Sequence, residues 1–137
     1  MSEENIKSIL KKTGLKLTPA RNSILQIFTD KCMPLCAEDI NKKLKKKDID
    51  LVTVYRTLTS FEEAGILRKV NLNKESQYYE LSEHHHHHII CQGCGFVEKL
   101  EGCEIKKTTL KLVSKSSNFK VIKDHSLEFF GVCKKCS

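Results

Sequence analysis

The sequence predicts an α+β chain in two parts: a helical N-terminal part that carries a short β-hairpin, then a smaller α/β part. Three observations carry that expectation. Apolar residues recur at helical spacing up to Gly65, and beyond it the period becomes that of strands on either side of a polar turn. Two CxxC pairs, Cys91–Cys94 and Cys133–Cys136, then bracket the C-terminal part, with 38 residues between them.

Each element has its own signal. Ile6, Ile9 and Leu10 share one face of a first helix that stops at Gly14. Thr18 caps a second helix with Pro19 in its first position, where a missing N–H loses no hydrogen bond, and Ile24, Leu25 and Phe28 point inward. A third helix begins near Ala37. Glu38 and Asp39 complement the dipole in its first turn, Ile40 and Leu44 are its buried positions, and Lys42 to Lys47 form its wet face. The fourth helix runs from about Val52 to Ala64, with Gly65 as a left-handed residue past its end. Ile66 to Val70, a polar turn over Asn71 to Ser76, and Gln77 to Leu81 read as a hairpin. Three helices, a fourth across them and a two-stranded hairpin make a winged helix-turn-helix over residues 1–82.

Residues 83–137 are the second domain, with the hinge expected near Leu81 to Glu83. A strand runs from His86 to Ile90, and a CxxC turn and a strand over Phe96 to Leu100 follow. A helix over roughly Glu104 to Ser116 and a strand pair around Phe119 to Val132 complete it.

Composition narrows the function classes. The N-terminal Met-Ser-Glu-Glu-Asn lacks an apolar signal region, and no apolar run approaches the ~20 residues that cross a bilayer, so a cytoplasmic protein without a membrane partner is expected. In that compartment, clustered cysteines indicate metal or redox chemistry more often than disulfides, and seven is an odd number for a disulfide framework. Lys and Arg outnumber Asp and Glu by 24 to 17, a surplus that permits nucleic-acid binding without demonstrating it.

A CxxC turn aims two thiolates at one centre, and two such turns complete a tetrahedral four-sulfur shell suited to structural Zn²⁺. The five consecutive histidines, His84 to His88, are a second supply of ligands that a structural zinc does not require. The run is internal and leads into a strand, where side chains alternate faces. His86 and His88 then point one way and His85 and His87 the other, so that one stretch feeds two sites with imidazoles suited to Zn²⁺ or Fe²⁺. Glu80 is near enough in sequence to join the first face. His125 can join the second, with Glu101 or Glu104 as oxygen donors.

On the fourth helix, Val54, Leu58 and Phe61 share the core face, which turns Thr53, Arg56, Thr57 and Ser60 outward with Tyr55 at the margin. That outward set has one cation, several hydroxyls and no carboxylate, which is compatible with a phosphate-lined groove and equally with an ordinary solvated face. Lys16 and Arg21 can add phosphate or minor-groove contacts, or be plain surface cations.

With these residues in place, the chain resembles the ferric uptake regulator (Fur) superfamily from about Gly14 to Cys136. The motifs are GLKLTPAR (14–21), AEDI (37–40), TVYRTL (53–58), EEAGIL (62–67), HHHHHIICQGCG (84–95), DHSLEFFGVC (124–133) and the closing KKC. The resemblance implies an N-terminal winged-helix DNA-binding domain and a small α/β dimerisation domain. It also implies a homodimer that binds pseudo-palindromic double-stranded DNA when loaded with metal. With no nucleophile–base arrangement in a context of its own, neither an enzyme nor a small-molecule substrate is expected. It further implies a structural zinc on Cys91, Cys94, Cys133 and Cys136, a regulatory site of Glu80, His86 and His88, and a further site drawing on His85, His87 and His125. Tyr55, Arg56 and Lys16 match DNA-contacting positions.

The branch is read from departures. Iron and peroxide sensors usually take a ligand from a His just before the third helix, where this chain has Cys32-Met33-Pro34-Leu35-Cys36, and Lys99 stands at a position that is acidic in those sensors. Val97 to Cys103 looks more like the zinc uptake regulator (Zur) branch, although several of those proteins offer a thiolate where this chain has Glu80. Zinc is therefore expected as the sensed ion ahead of iron, manganese or a peroxide response, with Cys32, Cys36 and Cys103 unassigned. The expected mechanism is metal-gated repression, in which ligands converging at the hinge present two recognition helices at the spacing of successive major grooves, roughly 34 Å. The rival classes are a thiol redox protein, for which neither CxxC has βαβ context, and a metal store, which needs no recognition helix.

Overall fold

The computed structural model describes residues 3–30, 33–82, 86–102, 105–123 and 125–137. The expectations placed on Cys32, Glu83, His84, His85, Cys103 and Glu104 lie outside the described residues. The chain divides into two compact units, Met1–His84 and His85–Ser137.

The first unit runs α1 (Glu3–Thr13), α2 (Pro19–Asp30), β1 (Leu35–Cys36), α3 (Ala37–Lys43), a 3₁₀ turn (Lys45–Lys47), α4 (Leu51–Glu63), β2 (Leu67–Val70) and β3 (Tyr78–Leu81). Its core collects the apolar face of every helix: Ile6, Leu10, Ile24, Leu25, Phe28, Ile40, Val54, Leu58 and Phe61 are all at most 1% exposed. Each such side chain contributes about 1.5–3 kcal/mol on leaving water, which is why these stripes fix how the helices pack.

Local chemistry sets the ends of the helices. Thr18 Oγ1 accepts from Arg21 N at 3.2 Å and starts α2. After α4, Gly65 takes φ +79°, and the N–H groups of Gly65 and Ile66 donate back to Glu62 and Phe61. This is a Schellman closure that a side chain at position 65 would strain. It turns the chain directly into β2.

The wing differs from the expected two-stranded hairpin. β3 pairs with β2 on one side and with β1 on the other, Leu35 opposite Tyr79 and Cys36 opposite Tyr78. Two residues between Pro34 and a helix are too few to show a period, so β1 becomes a strand only because β3 has an edge to offer it.

In the second unit, β4 (His87–Cys91) lies at the centre of a sheet, antiparallel to β5 (Val97–Leu100) and parallel to β6 (Glu128–Gly131). The helix α5 (Lys106–Ser114) lies in the connection from β5 to β6. The expected strand pair around Phe119 to Val132 is corrected: among the described residues only β6 forms. Both edges of β4 are already taken, so the preceding segment has no central strand to pair with. Phe119 and Val121 stand 72% and 60% exposed. Among the described residues, no helix is long and apolar enough to cross a membrane.

Candidate metal centre and nucleic-acid interface

The four cysteines come together. The CxxC turn after β4 brings Cys91 and Cys94 to Cys133 and Cys136, and all four sulfurs lie within 4.8 Å of one another. Cys94 Sγ and Cys133 Sγ are 3.8 Å apart. That is the edge of a tetrahedron with metal–sulfur bonds of about 2.3 Å, roughly 3.8 Å.

The backbone prepares one sulfur for negative charge. The N–H groups of Cys133 and Gly93 each donate to Cys91 Sγ at 3.3 Å. Its thiol is held down to about 6, chiefly by the Cys133 N–H and then by the Cys94 and Gly93 backbone. Cys136 behaves oppositely and is pushed up to about 12, because the sulfur of Cys133, then those of Cys91 and Cys94, hold its proton. Four thiols this close ionise one against another, and a divalent cation removes that conflict by favouring all four thiolates. The donor set therefore fits Zn²⁺. Gly93 belongs to the fit, since a Cβ there would meet Cys136 Sγ at 3.2 Å.

The strand sorts the histidines by face. The rings of His86 and His88 meet edge to face with centroids 4.7 Å apart, and both residues are buried. His87 instead lies beside His125, with centroids 5.3 Å apart. Its Nδ1 is 3.1 Å from the Leu127 carbonyl. Glu101 is exposed and pairs with Lys99 at 3.3 Å.

In the first unit, Glu80 on β3 is 3% exposed. Arg68, opposite it on β2, donates to Glu80 Oε1 from Nε at 2.7 Å and also from Nη2. Sequence reasoning missed this pair. The expected hairpin held the signal, because opposite charges at facing positions of two antiparallel strands attract.

The outer face of α4 is narrower than expected. Tyr55 and Arg56 are exposed and Thr53 is half-buried, but Thr57 is 8% exposed. Its hydroxyl donates to the Thr53 carbonyl one turn back, at 2.8 Å. A Thr beside the core face satisfies its hydroxyl on its own helix, which removes Thr57 from the outward set. Lys16 is exposed, and its carbonyl accepts from Arg21 Nη1 at 2.8 Å. That bond fixes the loop before α2. Cys36 is buried at the start of α3, and burial pushes its thiol up, as for an inert packing residue.

A winged helix-turn-helix followed by a sheet that gathers four cysteines able to hold a metal is the architecture of a metal-responsive transcription regulator. The chain belongs to the ferric uptake regulator family, whose profile matches residues 12–130. It is 39% identical to the ferric uptake regulation protein of Haemophilus ducreyi over 143 aligned positions, covering 100% of this chain and 94% of that protein. The structure of the ferric uptake regulator from Francisella tularensis with iron is 35% identical and aligns with a TM-score of 0.74, over 90% of this chain and 95% of that one. The regulator from Pseudomonas aeruginosa with manganese is 34% identical, with a TM-score of 0.77, over 94% and 98%. These relatives bear the ferric name, so the comparisons support the family and not the zinc branch.

Proposed function

We propose that the chain is a cytoplasmic, homodimeric repressor that binds operator DNA when loaded with a divalent metal. Its regulatory ion is drawn to Glu80, His86 and His88, and a structural zinc sits on Cys91, Cys94, Cys133 and Cys136. The observation that carries this reading is the sorting along His86 and the β4 residues that follow it. There His86 meets His88, His87 turns to His125, and Cys91 opens a thiolate cluster. A store gains nothing from separating its donors in this way. Ligands from both units would make metal loading and the relative placement of the units a single equilibrium.

Ferrous iron is the first reading of the regulatory ion, on the relatives' names and on a donor set of two imidazoles and one carboxylate. Zinc is the second, favoured by Pro34 and Leu35 where iron sensors usually carry a His and by Lys99 at a position acidic in those sensors. The homodimer is supported by apolar side chains of the second unit that stand exposed, Leu110 at 68% and Leu112 at 54% on α5 with Phe129 and Phe130 on β6 at 45% and 42%. Large apolar side chains left in water favour a partner that covers them. For DNA contact, the reading uses Lys16, Arg21, Thr53, Tyr55 and Arg56.

The test is fluorescence anisotropy on the gene's own upstream DNA, with metal-stripped protein titrated with buffered Zn²⁺, Mn²⁺ and anaerobic Fe²⁺. Binding restored by Fe²⁺ or Mn²⁺ supports the iron reading, and binding restored by low free Zn²⁺ alone supports the zinc reading. Metal-independent binding would refute the gating.

A further inference from the structure

Tyr55 OH donates to Glu38 Oε1 at 2.6 Å, which ties the recognition helix α4 to the first turn of α3. Tyr55 is 46% exposed, and Glu38 and Arg56 beside it are exposed as well. We propose that Glu38 is a positioning residue for DNA reading: it holds the Tyr55 hydroxyl proton, so the phenolic oxygen faces the groove as an acceptor only and selects a base that donates there. The inference rests on the reading of α4 as the recognition helix.

A phenol has one proton, and a phosphate oxygen can only accept. Once that proton is directed at Glu38, Tyr55 has none for the DNA backbone, and the neighbouring carboxylate repels phosphate as well. The bond favours the phenol as the proton's owner, lowering the Glu38 carboxyl and raising the Tyr55 hydroxyl. Asp39, the adjacent acid, is occupied by the Cys36 N–H at 3.3 Å and does not compete for Tyr55. In the major groove the exposed donors are adenine N6 and cytosine N4, so Tyr55 should prefer adenine or cytosine at one position. Arg56 is the only cation on α4 and is left to supply donor contacts to phosphate or guanine.

The experiment starts from a randomised duplex pool selected with metal-loaded wild-type protein. A base-substitution scan of the selected sequence then uses wild type, Tyr55→Phe, Glu38→Ala, Glu38→Gln and Glu38→Ala/Tyr55→Phe. At one adenine or cytosine position, Tyr55→Phe and Glu38→Ala should each lose a preference of roughly 2- to 12-fold, as for one neutral hydrogen bond. The double variant should lose no more than Tyr55→Phe. Glu38→Gln, whose amide oxygen still accepts the phenolic proton, should retain most of the preference. Thermal midpoints should not follow this order, which separates positioning from a structural tether. Additive losses spread over all positions would overturn the proposal. So would a fall of about 0.9 in the salt slope for Tyr55→Phe, the signature of one lost phosphate contact. If wild type enriches no sequence, the DNA-binding reading itself falls.

Discussion

Arg68 stands directly opposite Glu80 in the β2–β3 register and closes on a carboxylate whose side chain is 4% exposed, while its own is 24% exposed. The charge of the buried acid is thus balanced from within the winged-helix unit. A metal ion drawn to Glu80 has to compete with a guanidinium already in place. Arg68→Gln should therefore tighten regulatory metal binding and weaken the metal-free protein. Losing one partner of a fully buried pair costs about 3–5 kcal/mol, and with Arg68 a quarter exposed about 1–3 kcal/mol is expected here. Chelator competition and urea unfolding measure the two effects. Unchanged metal affinity would remove Glu80 from the ligand set.

The thiolate cluster makes a separate prediction. Cys133→Ser or Cys136→Ser should lower the metal content by one equivalent per chain and disrupt the second unit, since most of its described apolar side chains are exposed. Elemental analysis with sedimentation velocity tests this. Full zinc retention in Cys136→Ser would exclude a four-sulfur centre.

Gly93→Ala probes the same centre by shape. Its Cβ would sit 3.2 Å from Cys136 Sγ and 3.4 Å from Cys136 Cβ, so the CxxC turn has to yield by a few tenths of an ångström. Zinc should leave this variant faster under chelation than it leaves Gln92→Ala, whose exposed side chain lies in the same turn. Equal rates would mean that the turn tolerates the added methyl.

On α4, two substitutions of opposite kind should separate fold from function. Phe61→Ala removes a side chain that is 0% exposed and should cost about 3–5 kcal/mol in chemical denaturation. Tyr55→Ala with Arg56→Ala should change stability by only about 0.5 kcal/mol per site while abolishing operator binding. Metal storage that survived with no DNA phenotype would favour the storage class.

Thr57→Val tests the correction to the outer face. The valine keeps the shape and removes only a hydroxyl bonded to its own helix, so operator affinity should stay within about twofold and stability within about 1 kcal/mol. A large loss of affinity would return Thr57 to the DNA contacts.

Much of this was legible in the chain. Helical stripes such as Val54, Leu58 and Phe61, the break at Gly65 and the paired CxxC turns each rest on chemistry within a few residues, and local chemistry can be read from spacing. The register pair Arg68–Glu80 and the bond from Tyr55 to Glu38, 17 positions away, depend on two elements meeting. The zinc expectation rests on single positions such as Pro34 and Lys99 and on the short segment Val97 to Cys103. The relatives agree with this chain over nearly its whole length and carry the ferric name.

By itself, the sequence determined which residues form helices, where a metal-grade donor set lies, and which strand alternates its histidines, because period and spacing are properties of the chain alone. Only the tertiary structure decided that Leu35 and Cys36 extend the wing, that Thr57 faces inward, that His87 meets His125, and that Cys136 closes on Gly93. Those outcomes depend on which edge is vacant and which atoms approach across the fold, and no local pattern encodes a distance between segments.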